Sequence, residues 1–246
     1  MNRIEETVFN LVKKYFPDKN ISLLELCPGV GNLSKALLRS DYKNMEAMDI
    51  YPENFKVEGV KCYSGNLNED LPFDSEKYDL VIAVEGIEHL EDQYHFAKEC
   101  HRILKHGGIL IITTPNIVNF ASRVKFLFTG FYSLCTQPPS EFKKNWVTEH
   151  IAPLTFWQLR HVLHTNGMFI QEIQTDYIRR SSLLGILLYP FSYLTTYLNV
   201  TNRPNEIEPR QLKVNKEINR QMHSKSLFLG RTMVVISRKE DHDYEK

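Results

Sequence analysis

Two carboxylates and an imidazole stand close together in the segment VEGIEHLED at residues 84–92. Glu85, Glu88 and His89 are spaced i, i+3, i+4, so a helical turn would place all three on one face. His89 could then act as a general base toward an acceptor hydroxyl. Alternatively, the three side chains could bind a divalent metal ion that lowers the pKa of that hydroxyl. A merely structural turn is the third interpretation, and the residues leave all three open.

A second histidine, His150 in the segment WVTEHIAPLTFWQL, extends the metal interpretation. It would add a fourth ligand to Glu85, Glu88 and His89, and such mixed oxygen and nitrogen ligands would suit Mg²⁺ or Mn²⁺. Without a metal, Glu88, His89 and His150 are the candidate catalytic residues. Metal dependence stays open at this point.

The segment LLELCPGVGNLSKALL at residues 23–38 has the pattern of a strand, a glycine loop and a helix. Gly29 and Gly31 allow a tight turn and a close approach of the backbone to a ligand. A dinucleotide site would want a third glycine where Ser34 stands, and the carboxylate of Glu25 would repel a phosphate. S-adenosylmethionine carries a sulfonium and an ammonium instead, and both favour a nearby carboxylate. A structural strand-to-helix turn is the alternative.

Two later segments suit the rest of that cofactor. Asp49 ends the second apolar run, where its carboxylate could accept hydrogen bonds from two ribose hydroxyls. Asn66 and Leu67 end the third run and suit the exocyclic amine and the face of an adenine. Taken singly, each of the three is also an ordinary turn or loop residue.

Five motifs follow one another in the order ELCPGVG, MDI, GNLNEDLPF, YDLVIAVEGIEHLED and ECHRILKHGGILIITTPN. This order resembles the class I S-adenosylmethionine-dependent methyltransferases over about residues 21–116. Cys27 departs from that pattern, because the family usually has a glycine there. The resemblance implies these cofactor contacts: Glu25, Cys27, Gly29, Gly31, Asp49, Ile50, Asn66, Leu67 and Glu85.

Short apolar runs alternate with helical patterns along the chain. Continuous runs such as 80–84 and 109–112 predict strands buried on both faces, as in a parallel sheet. We therefore predict an α/β fold of Rossmann-like, doubly wound type, with a mostly parallel seven-stranded sheet and helical lid insertions. Thr155 and Gln158 predict a capping box at the start of a helix. The predicted strands are 21–27, 44–50, 60–65, 78–85, 108–115, 168–176 and 226–239, and the clearest predicted helices are 31–40 and 93–105.

The length of 246 residues indicates a single domain over 1–246, which the resemblance implies to be a methyltransferase domain. Its cofactor-binding core would span about 21–116, and insertions at about 117–153 and 177–225 would form the lid and the acceptor pocket. The four scattered cysteines indicate reduced side chains, not a disulfide framework or a zinc site. The charged, amphipathic N-terminus does not resemble a signal peptide, so we expect a cytoplasmic protein.

The segment 181–200 carries no charged residue and follows Arg179 and Arg180. Pro190 and several serines, threonines and tyrosines interrupt it, so it barely meets the length and composition of a spanning helix. A buried helix pair, a wall of the acceptor pocket or a lipid-touching surface is favoured. We expect a peripheral contact with the inner face of the membrane as one outcome.

The Glu-x-x-Glu-His pattern with a distant histidine resembles O-methyltransferases that act on quinone precursors or on the terminal ribose of small RNAs. We expect a small-molecule or lipid-linked acceptor with a sugar or quinone-like hydroxyl, methylated by direct displacement from S-adenosylmethionine. Thirty basic and thirty acidic residues balance, so no nucleic-acid partner is expected. The candidate acceptor-pocket residues are Asn116, Asn119, Arg123, Phe126, Phe128, Phe131, Tyr132 and Trp146.

Three alternatives remain. A metal-dependent RNA 2′-O-methyltransferase would need a basic stripe, for which Lys143, Lys144, Arg160, Arg179 and Arg180 are the candidates. A non-catalytic methyltransferase-like binding module would have lost cofactor binding. A nicotinamide-dependent oxidoreductase is disfavoured by Glu25 and by the missing third glycine. The sequence does not determine the oligomeric state.

Overall fold

The computed structural model describes residues 1–133, 138–142, 149–178, 180–201 and 208–240. Its centre is a seven-stranded sheet in the order β3-β2-β1-β4-β5-β7-β6. The strands are β1 Leu23–Leu26, β2 Met45–Asp49, β3 Lys61–Ser64, β4 Tyr78–Val84, β5 Leu104–Pro115, β6 Met168–Gln174 and β7 Thr232–Lys239. The helices are α1 Arg3–Tyr15, α2 Asn32–Arg39, α3 Gln93–Ile103, α4 Phe120–Thr129, α5 Phe156–Thr165, α6 Gly185–Thr196, α7 Pro209–Met222 and α8 Lys225–Leu229.

The pairing of the strands confirms the predicted sheet. Strands β1 to β5 pair in parallel, whereas β7 runs antiparallel to both of its neighbours, β5 and β6. The carboxyl ends of β1, β2 and β4 therefore meet at one edge of the sheet, where open α/β sheets bind their ligands. The glycine loop, Asp49 and the Glu85–His89 segment all leave the sheet at this edge.

Both faces of the sheet are buried, as the continuous apolar runs predict. In β4, Leu80 and Ile82 belong to a core shared with α1 and α2. The alternate residues Val81 and Ala83 belong to the opposite core, shared with α3 and α5. Alternation of side chains along each strand thus supplies two apolar layers, and helices cover each of them.

Local signals differ in how well they predict elements. The capping box of α5 is confirmed: the Thr155 hydroxyl accepts from the Gln158 amide, and the Gln158 side chain accepts from the Thr155 amide. The prediction of one strand over 226–239 is wrong in its first part, where the short helix α8 precedes β7. The Ser224 hydroxyl caps that helix by accepting from the Leu227 amide. A short apolar run does not distinguish helix from strand, and here the cap decides.

The predicted insertions contain most of the remaining helices. The first holds α4, and the second holds α7 and a continuous helical stretch from Arg180 to Thr201 that includes α6. That stretch of 22 residues has a mean hydropathy of 1.3 in its most apolar window, of which only 6% is buried. It is the one helix of the described residues that is long and apolar enough to cross a membrane. The covering role of these insertions stays a prediction.

Candidate active site

The glycine loop leaves β1 through a run of left-handed backbone conformations. Cys27, Gly29 and Gly31 have φ angles of 55°, 55° and 84°. Cys27 therefore adopts a conformation that usually belongs to glycine, and its side chain lies beside Gly86. A Cβ atom on Gly31 would lie 2.5 Å from Val57 Cγ2 and 2.7 Å from Phe55 Cε2, so this position accepts only glycine without rearrangement.

Asp49 at the end of β2 is held by two backbone amides. The Gly29 amide donates to one carboxylate oxygen at 3.1 Å, and the Tyr51 amide donates to the other at 2.9 Å. Each oxygen of an ionised carboxylate has a further lone pair, so both can accept one more hydrogen bond. Asp49 is thus oriented beside the glycine loop in the way that a pair of ribose hydroxyls would require.

Glu25 lies inside β1 and is 2% exposed. The Ser34 hydroxyl, on the first turn of α2, donates to its carboxylate. Burial raises the pKa of Glu25 to about 7, against the opposing effect of the Ser34 hydrogen bond. The carboxyl group therefore has an internal partner at the helix start, and a direct contact between Glu25 and the cofactor stays a prediction.

The other predicted cofactor residues lie in different environments. Ile50 is partly exposed after Asp49, and the Asn66 side-chain oxygen accepts from the Asn68 amide at 3.0 Å. Leu67 is 5% exposed and belongs to the apolar core on the α3 side of the sheet. Its methyl group lies 4.0 Å from the place that a Cβ on Gly86 would take, so it packs beneath the start of the acidic segment.

Glu85, Glu88 and His89 do not share one helical face, and that part of the prediction is wrong. Only residues 87–89 form a 3₁₀ turn, whereas Glu85 precedes it with a φ of 52°. The Glu85 amide donates to the Thr113 hydroxyl at 3.0 Å, and that hydroxyl lies 3.3 Å from a Glu85 carboxylate oxygen. Burial raises the pKa of Glu85 to about 7, although the Arg231 charge opposes the shift.

Glu88 is fully buried at the centre of this segment. Within the described part of the chain, neither of its carboxylate oxygens has a hydrogen-bond partner. Burial and the neighbouring negative charge of Glu85 raise the pKa of Glu88 to about 8, against the opposing effect of the nearby Thr114 hydroxyl. A buried carboxyl group without a hydrogen bond destabilises a fold by about 1–3 kcal/mol, so its presence here indicates a functional group.

Two histidines lie beside Glu88. His89 Nδ1 lies 2.8 Å from the Glu149 carbonyl oxygen, and because a carbonyl only accepts, this nitrogen carries the proton. In the neutral form of the ring, the lone pair therefore lies on Nε2. His150 Nε2 lies 4.0 Å from Glu88 Oε1, and the two imidazole rings meet edge to face at 4.9 Å. One ligand atom from each of the three residues lies within 4.8 Å of the others.

Several residues that the sequence analysis missed position this group. The Gln93 side chain donates to the Ile87 carbonyl at 3.0 Å and to the Ala152 carbonyl at 2.7 Å, which joins the acidic turn to the loop that carries His150. The Ala152 amide also donates to the Glu88 carbonyl at 3.0 Å. A signal for Thr113 was present, because it interrupts the apolar run of β5 just before the strand ends.

The predicted acceptor-pocket residues divide into structural and exposed groups. The Asn116 side chain donates to the carbonyls of Leu227 and Gly230, and Asn119 caps α4. Arg123 donates to the Val118 carbonyl and lies over the Phe228 ring. The aromatic candidates Phe126, Phe128 and Phe131 are exposed, and Tyr132 stacks on Phe126. Trp146 lies outside the described residues.

The basic stripe predicted for an RNA substrate is described only in part. Lys143, Lys144 and Arg179 lie outside the described residues. Arg160 is 6% exposed and forms an ion pair with Glu217 at 3.0 Å, so it is not available at the surface. Arg180 is exposed at the start of the apolar helical stretch.

Comparison with known proteins finds similarity to methyltransferases in the core of the fold. Residues 24–112 match a family model described as a methyltransferase domain. A probable S-adenosylmethionine-dependent methyltransferase of Mycolicibacterium smegmatis is 44% identical over 62 residues, which are 25% of this chain and 24% of that protein. A ubiquinone biosynthesis O-methyltransferase of Pelagibacter ubique is 31% identical over 107 residues, or 41% of this chain and 44% of that protein. The chain thus spans less than half the length of both relatives.

A solved structure supports the fold over nearly the whole chain. The crystal structure of an S-adenosylmethionine-dependent methyltransferase from Archaeoglobus fulgidus superposes with a TM-score of 0.57 and covers 96% of this chain and 94% of its own. Its sequence identity is 17%, so the likeness establishes the Rossmann-like fold alone.

Proposed function

We propose, on the premise that this chain contains a class I S-adenosylmethionine-dependent methyltransferase domain, that it methylates a hydroxyl group of a small-molecule or lipid-linked acceptor. The observation that carries the proposal is the buried Glu88 carboxyl group, without a hydrogen-bond partner among the described residues, beside the imidazoles of His89 and His150. A relative named as an O-methyltransferase of ubiquinone biosynthesis supports an oxygen acceptor with a quinone-like ring. A sugar hydroxyl is the second acceptor class.

The proposed reaction is a single displacement. The acceptor oxygen attacks the sulfonium methyl carbon in line, the carbon–sulfur bond breaks, and its electron pair stays on the sulfur of S-adenosylhomocysteine. The lone pair on His89 Nε2 takes the hydroxyl proton, because Nδ1 already donates to the Glu149 carbonyl. Most of the acceleration would come from holding the two reactants in line and excluding water.

Glu88 has a defined part in this scheme. An ionised carboxylate beside His89 stabilises the positive charge that the ring acquires with the acceptor proton. Its pKa of about 8 means that it exchanges its own proton close to neutral pH. Glu85 sits behind it, tied to Thr113, and its charge contributes to that raised pKa.

The same residues fit a divalent metal ion. Glu88, His89 and His150 would hold it, since a buried carboxylate and two imidazoles are common ligands of Mn²⁺, Fe²⁺ and Zn²⁺, and Glu85 does not belong to the group. The ion, when bound, would lower the pKa of the acceptor hydroxyl. Mg²⁺ prefers a fuller set of oxygen ligands, so Mn²⁺ suits this group better.

Titration calorimetry tests the cofactor step. We expect S-adenosylmethionine and S-adenosylhomocysteine to bind the wild type, and we expect Asp49→Ala to abolish the binding heat because it removes both ribose acceptors. Asp74→Ala, an exposed acid on the loop before β4, is the matched control and should bind like the wild type. Absence of binding to the wild type would remove the methyltransferase proposal in favour of a non-catalytic module.

A transfer assay tests the acceptor class. Methyl-labelled S-adenosylmethionine is incubated with catechols, prenylated hydroquinones and glycolipids, with and without added Mn²⁺. Glu88→Gln and His89→Gln should each lower turnover at least about 100-fold while cofactor affinity stays unchanged. Turnover that needs Mn²⁺, together with a Mn²⁺ binding heat lost in Glu88→Gln, would select the metal mechanism. Labelled product from thiols or amines alone would contradict a hydroxyl acceptor.

A further inference from the structure

The helical stretch from Arg180 to Thr201 has its large apolar side chains on the outward side, away from the domain. The side chains that pack against the domain include the small residues Ser182, Gly185 and Ser192 and the ring of Tyr189. The outward side chains are large and apolar: Leu187 is 81% exposed and Phe191 is 68% exposed. A helix at a protein–water boundary has the opposite arrangement, so this one is built for an apolar medium outside.

The end of α4 enlarges this surface. Phe120 at its start packs against Gly185, where an added Cβ would lie 2.4 Å from the Phe120 ring. The outward side chains of α4 and its C-terminal loop then continue the apolar surface of α6. The exposed apolar side chains of these two neighbouring segments are here called the apolar face: Val124, Phe126, Leu127, Phe128, Phe131, Leu183, Leu184, Ile186, Leu187, Leu188, Phe191, Leu194, Leu198 and Val200.

The charges within the two segments that carry the apolar face have one sign. Neither 117–133 nor 177–201 contains an aspartate or a glutamate, and both carry lysine or arginine. Helix α7 packs against the end of the apolar stretch and adds a basic stripe of Arg210, Lys213, Lys216 and Arg220, all exposed. Their spacing i, i+3, i+6, i+10 places them on one side of α7. The one acid of this helix, Glu217, is held by Arg160.

We infer that the apolar face and the basic stripe together dock the protein on the surface of an anionic lipid bilayer. Large apolar side chains enter the boundary between headgroups and acyl chains, and lysines and arginines contact the anionic headgroups. Such a combination of apolar and basic side chains binds anionic bilayer surfaces. Membrane docking is a property separate from the proposed methyl transfer. It also agrees with an acceptor that is itself embedded in lipid.

The helix lies on the bilayer and does not cross it, because side-chain contacts hold it to the domain. The Ser192 hydroxyl lies 3.0 Å from His223 Nε2, and Arg123 donates to the same hydroxyl at 3.2 Å. The rings of Tyr189 and Phe228 meet edge to face at 5.5 Å beneath the helix. A spanning helix would have to give up all of these contacts.

A second copy of the chain is a poorer occupant. A symmetric interface through the apolar face would bring two acid-free, basic surroundings together, and like charges across an interface oppose association. RNA is poorer too, because most of the apolar face is aliphatic, and aliphatic side chains offer neither stacking nor hydrogen bonds to bases. An anionic bilayer satisfies both parts of the surface.

Vesicle sedimentation tests this inference with the full chain. Wild type should bind phosphatidylcholine vesicles that contain phosphatidylglycerol, and bind vesicles of phosphatidylcholine alone more weakly. The double variant Leu187→Glu with Phe191→Glu should lower the partition coefficient more than about 100-fold on both, since it removes two large inserted side chains. The double variant Lys213→Glu with Lys216→Glu should lower it about tenfold or more, and only on the anionic vesicles.

Matched variants elsewhere on the surface control for general effects. Tyr94→Glu alters an exposed aromatic residue of α3, and Lys43→Glu with Lys98→Glu reverses two exposed lysines far along the chain from α7. Both should bind vesicles like the wild type. Asp49→Ala should keep vesicle binding and lose the cofactor, whereas Leu187→Glu with Phe191→Glu should do the reverse, so failure of docking and failure of the proposed function are distinguishable.

Four results would overturn the inference. The first is wild-type protein that stays in solution with both kinds of vesicle. The second is a dimer by light scattering that dissociates in Leu187→Glu with Phe191→Glu. The third is protein that resists extraction from membranes by alkaline carbonate, which would indicate a spanning helix. The fourth is binding of a labelled single-stranded RNA that depends on Lys213 and Lys216 and displaces the protein from vesicles.

Discussion

The two halves of the candidate site are built on opposite principles. In the cofactor half, polar groups already have partners: Asp49 accepts from two amides, and Glu25 accepts from Ser34. In the acceptor half, Glu88 is fully buried, and the part of the chain that the structure describes gives its carboxylate no hydrogen bond. The first half is hydrogen-bonded internally, whereas the second holds a buried carboxyl group whose pKa is raised to about 8.

On the proposed function, the difference separates cofactor binding from chemistry. A preorganised, hydrogen-bonded loop binds a constant cofactor with little rearrangement. A buried carboxyl group without a partner destabilises the free protein and is relieved by a proton, a cation or the developing charge of a transition state. Interactions that strengthen only during reaction are those that raise the rate.

The largest expected effect probes how closely the cofactor half is packed. Gly31→Ala should lower the free energy of unfolding by about 3 kcal/mol, since it combines a left-handed backbone with contacts to Val57 and Phe55. Gly29→Ala is the control, because Gly29 is also left-handed but has open space around its Cβ position, and it should cost only about 1 kcal/mol. Equal losses in urea unfolding would show that the loop is not tightly packed.

The next effect follows from the raised pKa values of the acceptor half. Glu85 and Glu88 shift from 4.5 to about 7 and about 8 on folding. The folded state therefore binds more protons than the unfolded state above pH 4.5, so the stability of the ligand-free protein should fall as pH rises toward 8. Glu88→Gln should be about 2 kcal/mol more stable than wild type at pH 8.5 and similar to it at pH 5.

Thermal unfolding followed across this pH range checks the sign. Glu58→Gln, at an exposed carboxylate, is the matched control and should follow the wild-type profile. A Glu88→Gln profile parallel to wild type would mean that the buried carboxyl group carries no stability penalty. The acceptor half would then not differ in stability from the hydrogen-bonded cofactor half.

A smaller effect is expected for the internal partner of Glu25. Ser34→Ala removes the hydroxyl that donates to this carboxylate, which raises the pKa of Glu25 further. Stability should fall by about 1–2 kcal/mol, and more at pH 8 than at pH 5, because the charged form loses its hydrogen bond. Ser75→Ala, at an exposed serine, should be neutral. If Ser34→Ala left the stability unchanged, the hydrogen bond from Ser34 would not stabilise Glu25.

The smallest effect belongs to Cys27. Cys27→Gly removes the strain of a left-handed conformation, which stabilises the fold. It also loses the contacts beside Gly86 and gives the unfolded chain more conformational entropy, so the net change in the free energy of unfolding should stay below about 1 kcal/mol. Burial raises the pKa of the Cys27 thiol to about 12, so alkylation of the wild type at pH 8 should be slow. Rapid alkylation, followed by mass spectrometry, would show an open loop.

Much of the fold follows from local sequence patterns. The apolar runs predict β1 to β6 closely, and Thr155 with Gln158 predicts the start of α5, because these signals are set by neighbours in the chain. The strand over 226–229 was wrong because the short run SLFL fits either element, and only the Ser224 cap selects a helix. Local patterns fail where a single cap or a tertiary contact decides.

The candidate site was less predictable than the fold. The sequence analysis grouped Glu88, His89 and His150 as candidate ligands, and the structure gathers their ligand atoms within 4.8 Å. It misplaced Glu85, because the left-handed backbone at that position is invisible in a helical spacing rule. The tautomer of His89 depends on a carbonyl of Glu149, and no feature of either residue in the sequence announces that contact.

The position of β7 in the sheet has a consequence for synthesis. Strand β6 pairs only with β7 among the described strands. In the sequence, the apolar helical stretch, α7 and α8 all lie between these two strands. During synthesis on the ribosome, β1 to β5 can therefore assemble first. Strand β6 and the apolar helical stretch are made next, before β6 has a strand to pair with. The edge of β5 stays unpaired until β7 is synthesised and inserts between β5 and β6. The exposed apolar helix is therefore made before the sheet is complete.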